Sequence, residues 1–379
     1  MKFVFCQISN KLLDPIPDKL SEAFYTTKEK DGYYRPEHFW ELPKWIAEMC
    51  FAIPDGYDKE LLIIEKEDTP EIIPEIGTYY CFSVLDVNLK YIEKIIENNQ
   101  RANFVLGGYV DSRIFDKYNN VLWFNNIKEF ADTHGFSYRY GCDWSLFRGT
   151  RCIPRLTMSK GCLNGCKFCT VPRGLTEISN LDIIMQIHAF GCLKYKLIYI
   201  DDKTFGQAEN CEILNNLYNI VKADNPEFEG FIIQTTAREV LKRKCDKEFW
   251  ECIRVVEIGV ETLNNDILGA YRKPHTVNEI LRATMILKYL HGIRVIWNII
   301  IGFSEETEDT YEHTIAVINV WSEDLYGLNI YHLAMYGTGK DTDENSNCKS
   351  WMTPFQKGIA DKFEELLHSL GLGIIENEI

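Results

Sequence analysis

From residue 153 onward, six apolar segments of strand length recur with helical stretches between them, and this alternation confines the chain to an α/β fold. The segments are IPRLTMS, KLIYID, GFIIQTT, RVVEIGVE, RVIWNIII and LNIYHLAMY. Parallel strands need a crossover between them, usually a helix, and a sheet built that way is covered on its faces. A closed eight-stranded barrel takes about 250 residues, and roughly 200 are available here, so a partial, open barrel of six β/α units is expected. Its functional residues then belong at the carboxyl ends of the strands.

The first part of the chain shows the same alternation. KFVFCQI, ELLIIE, TYYCFSVLDV and ANFVLGGYV read as strands, with WELPKWIAEMCFAIP and LKYIEKIIENN as helices. That pattern predicts a Rossmann-like parallel sheet over residues 1–145, interrupted by a surface loop at 26–38. The barrel is expected over 146–345. A helical extension over 346–379 is signalled by Thr353 as N-cap, Pro354 in the first turn, apolar Phe355, Ile359, Phe363, Leu366 and Leu370, and Gly371 beyond.

Charge narrows the function. With 46% apolar and 26% charged residues the balance is that of a globular protein, and a net charge of −15 argues against strong non-specific nucleic-acid binding. Residues 151–175 are the exception, carrying Arg151, Arg155, Lys160, Lys167 and Arg173 without an acid. No run long enough for a membrane span and no signal peptide is visible, so a cytoplasmic protein without a membrane partner is expected. Thirteen cysteines in such a chain read as reduced thiols and metal ligands.

Three of those thiols fall in one loop inside the cationic segment, Gly161-Cys162-Leu163-Asn164-Gly165-Cys166-Lys167-Phe168-Cys169. Three thiolates can hold three irons of a cubane and leave the fourth iron open to a chelating substrate. Gly161 and Gly165 let the loop close tightly. A zinc site completed by Cys142 or Cys152, in a non-catalytic scaffold, is the competing interpretation, although no second Cys-x-x-Cys pair accompanies the loop.

The Cys-x3-Cys-x2-Cys spacing, with an aromatic before the last cysteine, resembles the signature of the radical S-adenosylmethionine (radical SAM) superfamily over roughly residues 150–340. The resemblance implies a 4Fe-4S cluster on Cys162, Cys166 and Cys169. It also implies S-adenosylmethionine as cofactor, cleaved to a 5′-deoxyadenosyl radical, and a low-potential electron donor such as flavodoxin or ferredoxin. Phe168 joins the cofactor site by the same resemblance. Asp201 or Asp202, ending the second strand, stands where the family binds the cofactor's amino group, and Glu261 where a polar side chain meets the ribose. Arg272 is expected at the methionine carboxylate, and Asn298 and the backbone of Ile300 at adenine, with Glu305 ordering the following loop. Gln234 and Arg238 face the same mouth, toward cofactor or substrate.

Tyr80 to Val84 and Phe104 to Tyr109 resemble part of a cobalamin-binding domain, with Ser83 and Gly107-Gly108 at the strand ends, which adds cobalamin as a candidate cofactor and methylation as a candidate reaction. The histidine loop that supplies a lower cobalt ligand is missing, since Asp132-Thr133-His134-Gly135 has neither its spacing nor its position. A methylthiotransferase-like enzyme is the alternative, its auxiliary cluster on Cys6, Cys50 and Cys81. Those three lie in predicted strands and a helix, which favours structural cysteines.

Overall fold

The computed structural model describes residues 1–8, 42–64, 72, 75–85, 88–150, 152–169, 171–332, 358 and 374–376. The expected loop at 26–38 and the expected helix over 353–371 lie outside the described residues. Contacts divide the chain into two units. The first holds the described residues up to Cys152 together with Ile184–Lys194, and the second holds Ile153–Ile183 and those from Tyr195 onward.

The first unit is built on β1 (Lys2–Ile8), α1 (Lys44–Ala52), β2 (Asp58–Ile64), β3 (Thr78–Val84), α2 (Leu89–Asn98), β4 (Asn103–Gly108), β5 (Val121–Trp123) and α3 (Ile127–Thr133). Its five strands are parallel and ordered β2-β1-β3-β4-β5, the doubly wound order whose direction reverses between β1 and β3. The short β5 was not legible as a strand. Alternate residues of β1 feed opposite faces: Val4, Cys6 and Ile8 join Ile92, Ile95 and Ile96 of α2, while Phe3 and Phe5 meet Phe130 of α3 and Trp45 of α1. Gly108 is forced by the sheet, because a Cβ there would lie 1.9 Å from the Val84 carbonyl oxygen.

The second unit begins with β6 (Arg155–Leu156) and a hairpin of β7 (Ser159–Cys162) and β8 (Gly174–Glu177). It continues through α4 (Asn180–Ala189), shared with the first unit, β9 (Leu197–Ile200), α5 (Leu214–Asp224), β10 (Gly230–Thr235), α6 (Ala237–Lys242) and α7 (Lys247–Glu251). Then come β11 (Ile253–Glu261), α8 (Asn265–Ala270), α9 (Val277–Met285), β12 (Arg294–Ile301), α10 (Glu308–Trp321), β13 (Gly327–His332) and β14 (Ile374–Glu376). The parallel sheet runs β14-β13-β12-β11-β10-β9-β6, so the six expected strands gain a seventh from the carboxyl-terminal residues.

The two faces of this sheet are set by the pleat. Trp297 donates its indole N–H to Thr284 of α9 and packs on Trp321 of α10, so it faces the helices. Its neighbours Ile296 and Asn298 therefore face the concave side. Ile296 closes a floor there with Leu197, Ile232 and Val255. Helix ends are pinned locally, as by the Thr276–Glu279 capping box of α9.

Candidate active site

The cysteine loop hangs from the β7–β8 hairpin, with Cys162 at the end of β7. Gly161 has a φ of +87°, and a Cβ on it would meet the Gly174 carbonyl oxygen at 2.1 Å, so the tight hairpin requires glycine. Cys162 is buried, Cys166 half-buried and Cys169 exposed. The Cys169 N–H donates to the Cys166 carbonyl at 3.3 Å, which folds the second and third cysteines into one turn.

The loop after β9 holds the hairpin in place. The Asp202 carboxylate accepts from the Met158 and Ser159 N–H groups at 2.9 and 2.8 Å and from the Ser159 hydroxyl at 2.6 Å. Burial raises its pKa even against those hydrogen bonds. Asp202, expected to bind cofactor, is thereby committed to the strand that carries Cys162. Asp201 pairs with Arg155 at 2.8 Å and Lys203 at 3.6 Å. Thr204 lies 3.3 Å from the Cys162 sulfur, the Asn164 N–H donates to that sulfur at 3.4 Å, and Gln207 accepts from the Leu163 N–H at 2.9 Å. Hydrogen bonds onto the sulfur suit a thiolate metal ligand and tune a cluster's potential.

The ends of β11 and β12 clamp the loop from another side. A bulge between Gly259 and Glu261 breaks the β11–β12 register and leaves Glu261 at a φ of +67°. Its carboxylate meets Lys273 at 2.7 Å, with both side chains largely buried. Lys273 arrives there because α8 ends in a Schellman turn: the Arg272 N–H donates to the Gly269 carbonyl and the Lys273 N–H to that of Leu268. Arg272 takes the left-handed position, with a φ of +58°, and is exposed. The cation beside the cysteines is thus Lys273, one residue beyond the expected Arg272.

Burial lowers the Lys273 pKa, but Glu261 and the Cys166 and Cys169 thiols outweigh it and raise the ammonium above its ordinary range. Cys166 in turn is raised by burial, with Lys273 opposing, and it feels both Cys169 and Cys162. His275, next in this cluster, is pushed down to about 3 by burial and by Lys273, so it is neutral.

Phe168 packs against Tyr271 and Phe303 at ring distances of 6.2 and 6.0 Å, beside buried Ile300. The Lys167 N–H donates to the Tyr271 carbonyl at 3.1 Å, fastening the cysteine loop to the Schellman turn. Glu305 accepts from the Ser304 hydroxyl at 2.9 Å and also pairs with the Tyr271 hydroxyl, so it ties the loop after β12 to the Schellman turn. Glu306 beside it accepts from the Gly302 N–H at 2.7 Å and from the Tyr311 hydroxyl. Burial raises Glu306 to about 7 despite both donors.

Gln234 is half-buried at the end of β10 and its carbonyl accepts from the Phe205 N–H at 2.8 Å, whereas Arg238 is exposed on α6. Asn298 is buried and accepts from the Asn329 amide at 2.6 Å. Thr204, Lys273, Glu306 and Asn329 were missed from sequence, since none sits in a recognisable spacing.

The cysteines of the alternative ligand sets belong to the first unit. Cys6 lies under α2, while Cys81, paired in register with Phe5, and Cys50 on α1 belong to the opposite side of the sheet. Burial pushes Cys50 up to about 12 and raises Cys6 and Cys81 as well. Cys152 neighbours Cys192. His134 is enclosed by Phe130 and Phe136.

Residues 156–318 match the family model of the Radical SAM superfamily. The ribosomal protein uS12 methylthiotransferase RimO of Dictyoglomus thermophilum is 24% identical over 332 residues, covering 77% of this chain and 74% of that protein. In fold, the chain resembles the radical S-adenosylmethionine methyltransferase TsrM from Kitasatospora setae, solved with cobalamin and a 4Fe-4S cluster. That likeness has a TM-score of 0.54 at 12% identity over 87% of this chain and 75% of the other. The cobalamin-dependent S-adenosylmethionine radical enzyme OxsB, solved with aqua-cobalamin and S-adenosylmethionine, gives 0.53 at 13% identity over 98% of this chain and 57% of its own. At such identities these two establish the fold. Among the described residues, no helix is long and apolar enough to cross a membrane.

Proposed function

Residues 156–318 are a radical SAM domain, and on that premise we propose that the chain cleaves S-adenosylmethionine reductively at a 4Fe-4S cluster on Cys162, Cys166 and Cys169, for radical modification of a substrate held in the barrel. The observation that carries this is the single hairpin loop presenting three thiols, with the Asn164 N–H directed at the Cys162 sulfur and the Thr204 hydroxyl within hydrogen-bond reach of it. Three thiolates without a fourth residue in the loop fit a cluster that keeps one iron open. When bound, the cluster supplies the electron for cleavage, delivered by a low-potential donor such as flavodoxin or ferredoxin.

The surrounding residues then have distinct tasks. Lys273 offers a buried ammonium suited to the methionine carboxylate, and Glu261 a carboxylate suited to the ribose diol. Phe168, Ile300, Tyr271 and Phe303 form an apolar wall, and Asp202 and Thr204 hold Cys162 in place. Protein reconstituted anaerobically with iron and sulfide should bind about four irons per chain and yield 5′-deoxyadenosine under dithionite. Iron bound without S-adenosylmethionine cleavage would reject the proposal.

A corrinoid on the first unit is supported by the likeness to TsrM and OxsB in fold and by Leu85 and Tyr109, exposed at the carboxyl edge of β3 and β4, Tyr109 at 93%. The Gly107-Gly108 pair adds little, because Gly108 is accounted for by its contact with Val84. Hydroxocobalamin titration followed by gel filtration tests retention, and Tyr109→Glu should abolish it. The methylthiotransferase alternative is supported by the RimO match and opposed by the separation of Cys6 from Cys50 and Cys81 across the sheet.

A further inference from the structure

The concave face of the barrel sheet turns polar directly above its floor. Tyr199 donates its hydroxyl to Glu257 at 3.0 Å, and Arg155 pairs with Asp201 at 2.8 Å. Asn298 on β12 stands in register with Gly259 on one side and Asn329 of β13 on the other. A Cβ on Gly259 would lie 2.8 Å from the Glu261 carboxylate and 3.4 Å from the Lys273 ammonium, so that ion pair sits over the glycine, next to the asparagine pair. The polar face therefore leads from the cysteine loop down to the floor.

The two asparagines are each 2% exposed and bond each other through one amide atom apiece. The Asn298 amide nitrogen and the Asn329 carbonyl oxygen are buried without a partner among the described residues. Exchanging nitrogen and oxygen in both side chains leaves the same remainder, one donor and one acceptor side by side. Buried polar atoms are almost always bonded, so an unmatched pair in a concave site calls for a ligand or ordered water. Charge adds a second demand. Arg155 is neutralised by Asp201, whereas Glu257, 7% exposed, accepts from the Tyr199 phenol.

We infer that the barrel takes a nitrogenous substrate, whose amide-like donor–acceptor edge binds Asn298 and Asn329 and whose amino group faces Glu257. The inference rests on the assignment of the barrel as the reaction site, and it disfavours carboxylate or phosphate groups at this depth. The residues that do this, Asn329, Glu257 and Tyr199, lie outside the cysteine motif.

Saturation-transfer NMR on anaerobically isolated protein tests it with glycinamide, acetamide and acetate as probes. Glycinamide should give the strongest transfer and acetate the weakest. Glu257→Gln should erase the advantage of glycinamide over acetamide, and the double variant Asn298→Leu, Asn329→Leu should lower transfer to both amides at least fivefold. The double variant should also melt at a higher temperature, because it removes two unmatched buried groups. A lower melting temperature would mark the pair as a strand clamp and overturn the inference, as would equal transfer to acetate and glycinamide. Cleavage of S-adenosylmethionine by the wild type is scored separately, so loss of the probe preference with intact cleavage rejects this inference alone, and the reverse rejects only the enzymatic assignment.

Discussion

Cys81 and Cys166 show how differently the two units use one residue type. Cys81 is part of a strand in a sheet covered on both faces, with its thiol shut among apolar side chains and its pKa raised by burial. Cys166 sits in a loop, half-buried, where an ammonium opposes the effect of burial. The glycines divide the same way, since Gly108 admits a neighbouring strand and Gly259 leaves room for an ion pair. Chemistry in this chain is marked by strand-end loops and by polar groups on the concave face, while cysteine or glycine alone marks only packing.

The largest effect expected on that contrast comes from Cys166→Ala, which should remove the cluster and with it all S-adenosylmethionine cleavage, read by iron assay and by chromatography of 5′-deoxyadenosine. Retained cleavage would erase the distinction between loop and core cysteines.

A step smaller is the Glu261–Lys273 pair. Truncating one member leaves the other charge buried and unpaired, so Glu261→Ala should cost about 3–5 kcal/mol of stability. Replacing both, as Glu261→Leu with Lys273→Met, should cost less than the single change, because no lone charge remains. Urea denaturation of the two singles and the double gives the coupling. Additive losses would mean that the pair does not interact in solution.

Smaller again is the pH effect of Glu306, raised to about 7 by burial. An acid whose folded pKa is raised contributes stability below its unfolded value, and that stability is lost as pH rises through the folded one. Wild-type protein should therefore lose up to about 3 kcal/mol between roughly pH 4.5 and 7 relative to Glu306→Gln, then run parallel to it. Parallel curves across the whole range would show that the carboxyl is ionised at low cost.

The strands and the cysteine loop were legible because both are local patterns: apolar runs of fixed length in one case, fixed spacing in the other. What sequence missed depends on pairing between distant segments. Lys273 displaces Arg272 because a Schellman turn rotates one outward and the next inward, and Asn329 matters only because β13 lies in register with β12. The three-residue β5 and β14 are too short to show a period, and they exist because neighbouring strands supply their hydrogen bonds.

The smallest expected effect is none. If Cys6, Cys50 and Cys81 held a second cubane, replacing all three by Ala would lower iron by about four per chain, since such a cluster needs its sulfurs within several Å of one another. The sheet prevents that convergence: Cys6 faces the helix α2, whereas Cys81 shares a register position with Phe5, whose ring faces α1. All three thiols are raised by burial, which opposes the thiolate form that iron requires. Iron per folded chain should stay unchanged in the triple variant, while some stability is lost to the cavities left behind. A drop of about four irons would mean that the sheet rearranges around a metal, and methylthio transfer of the kind named for RimO would then become the leading reaction.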